Sequence, residues 1–228
     1  MTSTASIRTV VLCGGEGVRL QPLTLDCPKP LVPLRGLPII NYVVGHLHSH
    51  NLHDITIAGG YKVNMLESHF AGSTIKVIDT GTQDIVKRIC QLDDGLMDEM
   101  LVLYGDTLSD VNIPDLIRDH RRSLREATVT VWPLRSSFGV FELNSNCDVR
   151  SYKEKPVLDH WINIGYFIFS RRALGSLKNH STFQGALTNL VERGELHAYR
   201  HHGLHITVNT RAELEDAESA LSRWPSVG

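Results

Sequence analysis

Thr9-Val-Val-Leu-Cys-Gly-Gly-Glu-Gly-Val-Arg-Leu20 is the stretch that decides the fold of this 228-residue chain. It opens as a short, wholly apolar run and continues into three glycines within four positions, Gly14, Gly15 and Gly17. An apolar run that ends at glycines is typical of a buried parallel strand. Glycines after such a strand let the backbone approach a ligand and turn its N–H groups toward phosphate. The stretch therefore predicts a central strand followed by a phosphate-binding loop.

Two basic residues near this loop favour an anionic ligand. Arg19 follows the last glycine by two residues and can make a bidentate phosphate contact. Lys29 lies between Pro28 and Pro30, so a stiff segment directs its ammonium group. A Rossmann dinucleotide loop would need glycine where Leu20 stands, and a Walker A loop would need Gly-Lys-Ser/Thr, which is absent. A simple strand-to-helix turn would leave Arg19 and Lys29 unexplained.

Strand and helix patterns alternate along the first 132 residues. The predicted strands span 9–13, 54–58, 75–78, 100–104 and 127–132, and the predicted helices span 39–50, 63–70, 82–92 and 113–122. This order predicts an α/β fold, Rossmann-like, with an open, mostly parallel sheet and helices on both faces. A small mixed C-terminal portion follows, with strands at 139–143, 149–152 and 165–169 and helices at 171–177, 186–193 and 211–222. No linker interrupts the chain, so we expect one domain over residues 1–228, with a core of about 7–132 and a completing portion of about 133–228.

Composition narrows the class of protein. Hydrophobic residues make up 42% and charged residues 21%, values close to those of soluble globular chains. The formal net charge of −2 excludes the strongly basic footprint of a general nucleic-acid binder. The longest uncharged apolar stretch, Trp161–Phe169, is about half of a membrane span. Four scattered cysteines and a polar opening without a signal peptide predict a cytoplasmic protein with no membrane partner.

The motifs, taken in order, resemble those of the sugar-1-phosphate nucleotidylyltransferases. The glycine loop with Arg19 and the Pro-Lys-Pro run resemble that family's nucleotide site, and Tyr104-Gly-Asp106 resembles its metal-binding Gly-Asp. Glu154-Lys-Pro156 and Trp161-Ile-Asn-Ile-Gly165 resemble its sugar-phosphate motifs. The resemblance implies a GT-A-like nucleotidyltransferase fold. It also implies Mg²⁺-dependent transfer from a nucleoside triphosphate (NTP) to a sugar 1-phosphate, and it allows a homo-oligomer.

The resemblance also implies a role for each matching residue. The implied catalytic residues are Arg19, Lys29 and Asp106. The implied nucleotide-binding residues are Leu12, Cys13, Gly14, Gly15, Gly17, Gln83, Lys87, Arg88 and Gly105. The implied sugar-phosphate-binding residues are Gly139, Glu154, Lys155, Trp161, Asn163 and Gly165. The implied metal ligands are Asp106 and Asn209.

Three alternatives stay open within this resemblance. Asp79-Thr-Gly81 with Lys87-Arg88, together with Ser137-Phe-Gly139, resembles the glucose-1-phosphate cytidylyltransferase branch and favours CTP. The short segment 82–86 is also similar to compact guanylyltransferases of heptoses and other higher sugars, so GTP remains a rival. Val18, Gln184 and Asn209 depart from the family pattern, as a poorly active regulatory subunit would. Asn209 stands where the resemblance places a second metal-binding Asp. The alternative interpretation is that Asn209 caps the helix that begins near residue 211.

Overall fold

The structure, a computed structural model, describes residues 7–224. The described strands are β1 (Ile7–Cys13), β2 (Pro33–Leu34), β3 (Leu37–Pro38), β4 (Ile55–Gly59), β5 (Lys76–Asp79), β6 (Glu99–Tyr104), β7 (Thr107–Ser109), β8 (Ala127–Arg135), β9 (Val140–Leu143), β10 (Val149–Lys153), β11 (Val157–Ser170), β12 (Leu196–Arg200) and β13 (His205–Thr207). The described α-helices are α1 (Leu23–Asp26), α2 (Ile39–Ser49), α3 (Val63–His69), α4 (Ile85–Leu92), α5 (Ile113–Ser123), α6 (Arg171–Leu177), α7 (Phe183–Glu192) and α8 (Arg211–Ala220).

One seven-stranded sheet forms the centre, in the order β12-β8-β11-β6-β1-β4-β5. Every neighbouring pair is parallel except the two that β11 makes with β6 and β8. Six strands therefore run in one direction and β11 runs against them. The predicted α/β fold with a mostly parallel sheet is confirmed.

Both faces of the sheet are covered by helices, which explains the continuous apolar run in β1. Val11 belongs to one core with apolar residues of α2 and α5. Val10 belongs to the other core, with residues of α4, α6 and α7. Because successive strand side chains point to opposite faces, a strand buried on both sides is apolar at most positions rather than at alternate ones, as Val10–Cys13 is in β1.

The central sheet contains strands that come before residue 132 in the sequence and strands that come after it. The antiparallel β11 lies between β6 and β8, and it is much longer than the 165–169 strand that the pattern predicts. The pattern does not predict five strands, namely β2, β3, β7, β12 and β13. Four of these have only two or three residues, too few to show a period, and β12 mixes polar with apolar residues. Helix α4 begins at Ile85 rather than 82 because the Asp84 side chain accepts a hydrogen bond from Val86 N and caps it.

Two small two-stranded units lie at the edge of the sheet where the parallel strands end. In the ribbon of β7 and β13, Thr107 pairs with Thr207, so Asp106 just before β7 lies near Asn209, which follows β13. The hairpin of β9 and β10 carries the segment that leads to Glu154 and Lys155. None of the helices in residues 7–224 has the length and hydropathy required to cross a bilayer.

Candidate active site

The glycine loop leaves β1 at the edge where the parallel strands end. Gly17 has a φ of 63°, a left-handed conformation that glycine adopts without steric cost. Thr24 Oγ1 donates a hydrogen bond to Gly17 O at 2.9 Å and fixes the end of the loop. Within residues 7–224, the backbone N–H groups of residues 14–17 have no hydrogen-bond partner. These donors are therefore available to an anion.

A cavity of about 400 Å³ opens beside this loop. Three of its lining side chains are cationic, Arg19, Lys29 and Arg88, whereas Asp106 is its only carboxylate among the described residues. The excess of positive charge, together with the N–H groups of the loop, suits a polyanion such as a triphosphate.

Lys29 is the centre of the polar contacts in the cavity. Its side chain is almost buried, and its Nζ lies 2.6 Å from Asp106 Oδ2 and 3.0 Å from Asn209 Oδ1. Arg19 Nη2 also donates to Asn209 Oδ1, at 3.3 Å. The carboxylate, the amide and the two cations that the sequence singles out therefore form one connected group.

Asn209 is held by the start of α8 without capping it. The N-cap is Thr210, whose side chain accepts a hydrogen bond from Glu213 N at 3.2 Å. Glu213 Oε2 in turn accepts from Asn209 N at 2.8 Å and from Asn209 Nδ2 at 3.2 Å. The reading of Asn209 as the helix cap is wrong, and its amide oxygen faces the cavity cations instead.

Arg88 lies beneath the glycine loop. It is buried and donates to Thr80 Oγ1 at 2.9 Å and to Ala58 O at 2.6 Å. A Cβ on Gly14 would come within 2.4 Å of Arg88 Nη2, so only glycine lets the loop lie this close to the guanidinium. Burial lowers the pKa of Arg88 below its ordinary value. No carboxylate in the described residues forms a salt bridge with this cation, which leaves it suited to an acceptor-rich ligand in the cavity.

The cavity gathers most but not all of the expected nucleotide-binding residues. Those that line it are Leu12, Cys13, Gly14, Gly15, Gly17 and Arg88. Gln83 instead donates to Thr80 O at 3.1 Å, and Lys87 is exposed on a different side of α4 from Arg88. Gly105 packs behind the loop, where its N–H donates to Leu12 O at 3.0 Å. Burial raises the pKa of the Cys13 thiol, so Cys13 serves as an uncharged wall.

The expected sugar-phosphate residues do not line this cavity. Gly139 packs against the ring of Tyr152, whose hydroxyl donates to the Glu154 carboxylate. Lys155 is exposed, with a φ of 43° that is rare outside glycine. This group lies on and beside the hairpin of β9 and β10.

Trp161 and Gly165 face other surroundings. The Trp161 ring lies 5.3 Å from the ring of His202 and 5.1 Å from the Arg200 guanidinium. Gly165 is buried, its N–H donating to Asn163 Oδ1 at 2.7 Å. The structure therefore does not bring the whole expected sugar set together at one point.

Tyr104 connects the two groups and was not among the expected site residues. It lines the cavity, its hydroxyl lies near the Asn163 side chain, and burial raises the pKa of that hydroxyl. Its position directly before Gly105-Asp106 at the end of a central strand is the sequence signal that could have found it. The remaining unexpected lining residues are Val18, Pro30 and Ile85.

The oxygen atoms at the centre of the site fit a hard divalent cation. Asp106 Oδ2 and Asn209 Oδ1 contact the same Lys29 nitrogen, so they are no further apart than those two contact distances combined. Carboxylate and amide oxygens are suitable Mg²⁺ ligands, and Mg²⁺ is commonly held by one or two carboxylates together with substrate phosphates. The described residues contain no cluster of three or more His, Cys, Asp or Glu side chains that could hold a metal by themselves.

The fold and cavity together define a nucleotide-binding α/β protein that places its ligand at the carboxyl ends of parallel strands. The family model for nucleotidyl transferases matches residues 8–204, and the chain belongs to that family.

Several relatives support this assignment at low identity. A probable glucose-1-phosphate cytidylyltransferase of Bacillus subtilis is 29% identical, with the alignment covering 97% of this chain and 98% of the relative. The glucose-1-phosphate cytidylyltransferase of Salmonella typhimurium is 28% identical over 86% of this chain and 89% of its own. A mannose-1-phosphate guanylyltransferase of Mycobacterium tuberculosis is also 28% identical, over 75% of this chain and 51% of its own.

A solved structure shows the same fold. A candidate glucose-1-phosphate thymidylyltransferase of Bacillus anthracis, solved in complex with sucrose, aligns with a TM-score of 0.76 over 97% of both chains. The two sequences are 21% identical, so this likeness bears on the fold alone.

Proposed function

We propose that this protein transfers a nucleotidyl group from an NTP to a sugar 1-phosphate, giving a nucleotide sugar and pyrophosphate. The observation that carries the proposal is the cavity in which unpaired loop N–H groups and three cations surround a single carboxylate. That arrangement suits a substrate with several negative charges. The relatives named above as sugar-1-phosphate nucleotidyltransferases support the same reaction class.

The proposed reaction needs no protein nucleophile. An oxygen of the sugar phosphate attacks the α-phosphorus, the bond from that phosphorus to the bridging oxygen breaks, and pyrophosphate leaves with the bonding electrons. Arg19 would neutralise the leaving phosphates and Lys29 the α-phosphate. Catalysis then consists of positioning and charge stabilisation.

Asp106 and Asn209 would hold Mg²⁺, which supplies Lewis-acid stabilisation of the phosphate charge when bound. Lys29 contacts both of these oxygens in the structure. Its ammonium would therefore contact the triphosphate at the same place where the metal ligands lie. Buried Arg88 would complete the nucleotide side by donating to an acceptor of the nucleotide beneath the loop.

The sugar side of the proposal rests on the hairpin. Glu154 and Lys155 would bind the sugar and its phosphate, with Lys155 facing the incoming anion. Tyr104 lines the cavity near Asn163 and would therefore lie between the two substrates. The exposure of Lys155 allows the hairpin to meet the sugar phosphate from outside the nucleotide cavity.

CTP is the donor that we favour. The two relatives that align over most of their length act on, or are named for, glucose 1-phosphate with a cytidylyl donor. GTP and a higher-sugar 1-phosphate form the rival pair, which the short segment 82–86 supports.

Pyrophosphate release from purified protein tests the proposal. Each of CTP, GTP, UTP, dTTP and ATP is combined with Mg²⁺ and a panel of hexose and heptose 1-phosphates, with Asp106→Asn as the inactive control. We expect release with CTP and a hexose 1-phosphate. Pyrophosphate release only with GTP and a heptose 1-phosphate would instead support the rival function, that of a guanylyltransferase. NTP binding without pyrophosphate release from any combination of NTP and sugar 1-phosphate would contradict the proposed enzymatic activity. It would support the regulatory subunit suggested by Val18, Gln184 and Asn209.

A further inference from the structure

Glu213 stands directly behind Asn209. Its Oε2 accepts hydrogen bonds from both the backbone N (2.8 Å) and the side-chain Nδ2 (3.2 Å) of Asn209. On the other side, Asn209 Oδ1 accepts from Lys29 Nζ at 3.0 Å and from Arg19 Nη2 at 3.3 Å. The amide thus lies between one carboxylate and two cations.

This placement allows only one orientation of the amide. In the opposite orientation the NH₂ group would face Lys29 and Arg19, which have only donors, and the carbonyl oxygen would face the Glu213 carboxylate, which has only acceptors. Glu213 therefore directs the amide oxygen toward Asp106 and the cavity. A carboxylate hydrogen-bonded to the NH₂ group also polarises the amide and increases the negative charge on its oxygen.

We propose that Glu213 is a positioning residue that supplies, through the Asn209 amide, the negative charge that a carboxylate at position 209 would bring directly. The inference rests on the proposed function, because it concerns how the same site holds Mg²⁺ with an NTP. Asn209 and Glu213 act as an amide–carboxylate pair. The negative charge is on Glu213, behind the Asn209 amide, and so lies further from the metal than a carboxylate at position 209 would. The same pair in reverse order, a carboxylate at 209 and an amide at 213, would keep both the hydrogen bond and the total charge.

A purely structural role for Glu213 predicts different behaviour. Because Glu213 is in the first turn of α8, it also satisfies a backbone N–H at the helix start. Glu213→Gln retains an oxygen acceptor for that N–H, so a role limited to the helix start would be largely preserved. The loss of charge would instead change the requirement for Mg²⁺.

Four proteins test the pair: wild type, Glu213→Gln, Asn209→Asp and the double variant. Glu215→Gln is the matched control, since it removes the same charge from an exposed position on the same helix. Two quantities are measured at fixed CTP: the Mg²⁺ concentration for half-maximal pyrophosphate release, and the Mg²⁺ concentration for half of the rise in thermal unfolding temperature. The second does not require turnover.

We expect Glu213→Gln to raise both Mg²⁺ midpoints by about tenfold, the size typical for loss of a residue that orients a metal ligand. Asn209→Asp alone places two carboxylates within hydrogen-bond distance without a donor between them, so it should give no improvement. The double variant should return both midpoints to within about twofold of wild type, and Glu215→Gln should not change them.

The inference is overturned if Glu213→Gln behaves like Glu215→Gln, or if Asn209→Asp alone matches or exceeds the double variant. If the wild-type protein turns over and the variants leave both Mg²⁺ midpoints unchanged, the role of Glu213 is refuted and the proposed function is retained. A wild-type protein with neither turnover nor an Mg²⁺–NTP stabilisation would refute both.

Discussion

The glycine-loop cavity and the β9–β10 hairpin differ in how firmly the fold holds them. The cavity is lined at its base by residues at the ends of β1 and β6, namely Leu12, Cys13, Gly14, Tyr104 and Asp106. These two central strands pair with each other and are buried on both faces. The hairpin is an isolated two-stranded unit, and the side chains that its strands pair on one face are all more than half exposed, namely Phe141, Leu143, Val149 and Tyr152. Two-stranded units are marginally stable without further packing. The proposed nucleotide side is therefore preorganised, whereas the proposed sugar side depends on local contacts such as that between Tyr152 and Glu154.

The largest effect should come from the carboxylate of the rigid region. Asp106→Asn removes the only cavity carboxylate in the described residues, and we expect kcat to fall by about 10³-fold. Thermal unfolding should change little, because the amide keeps an oxygen for Lys29. Asp216→Asn, an exposed change on α8, serves as the control. A loss below tenfold would contradict the assignment of Asp106.

Two of the three cavity cations, Arg19 and Lys29, should give the next largest effect. Arg19→Ala and Lys29→Ala should each lower kcat by about 10²-fold as well as weaken NTP binding, since their contacts strengthen as charge develops on the leaving group. Arg19→Lys should recover only part of the loss, because lysine lacks the planar fork of donors. Steady-state kinetics with varied NTP measure both constants. Changes confined to KM would show uniform binding and would contradict the proposed roles.

A smaller and more selective effect is expected at the hairpin. Lys155→Ala should raise KM for the sugar 1-phosphate by about tenfold, with NTP affinity unchanged, because one exposed charge contact is lost. Lys153→Ala is the neighbouring control, since Lys153 pairs with Glu142 instead. Equal effects of the two variants, or a loss of NTP affinity in Lys155→Ala, would remove the distinction between the two regions.

The smallest effect should arise where the regions meet. Tyr104→Phe removes the hydroxyl that lies near Asn163 and leaves the ring in the cavity wall. Loss of a polar contact worth about 1 kcal/mol corresponds to about a fivefold decrease in kcat/KM for the sugar 1-phosphate. Phe167→Leu, a change to a ring packed beside Tyr104, controls for general loosening and should lower stability instead. An unchanged kcat/KM in Tyr104→Phe would mean that the two substrates are positioned independently.

Local patterns were enough to predict the strand–loop unit, all the described α-helices except the four-residue α1, and the interest of Arg19 and Lys29. The apolar run before Gly14 requires a strand buried on both faces, and Lys29 between two prolines is held in place by its own neighbours. Contacts between distant segments were not predictable. The orientation of Asn209 depends on Glu213 behind it and Lys29 in front, and the burial of Arg88 depends on β4 and the turn at Thr80. Lys155 is likewise exposed because it follows a hairpin that does not line the cavity. The hydrophobic periodicity of the sequence does not predict where this hairpin lies.

The ribbon of β7 and β13 has a consequence for the order in which the protein is made. Ribosomal synthesis releases the glycine loop and Asp106 in the first half of the chain, but Thr207 and Asn209 arrive only after residues 107–204 have been made. Pairing across so long a separation closes a large loop and is a late step in folding. An unfinished chain can therefore form the strand and glycine loop of the proposed nucleotide site and still lack the Asn209 oxygen proposed to complete it. Under the proposed function, turnover would require residue 209 to be in place beside β7, so a copy that ends before this residue should hold nucleotide without consuming it.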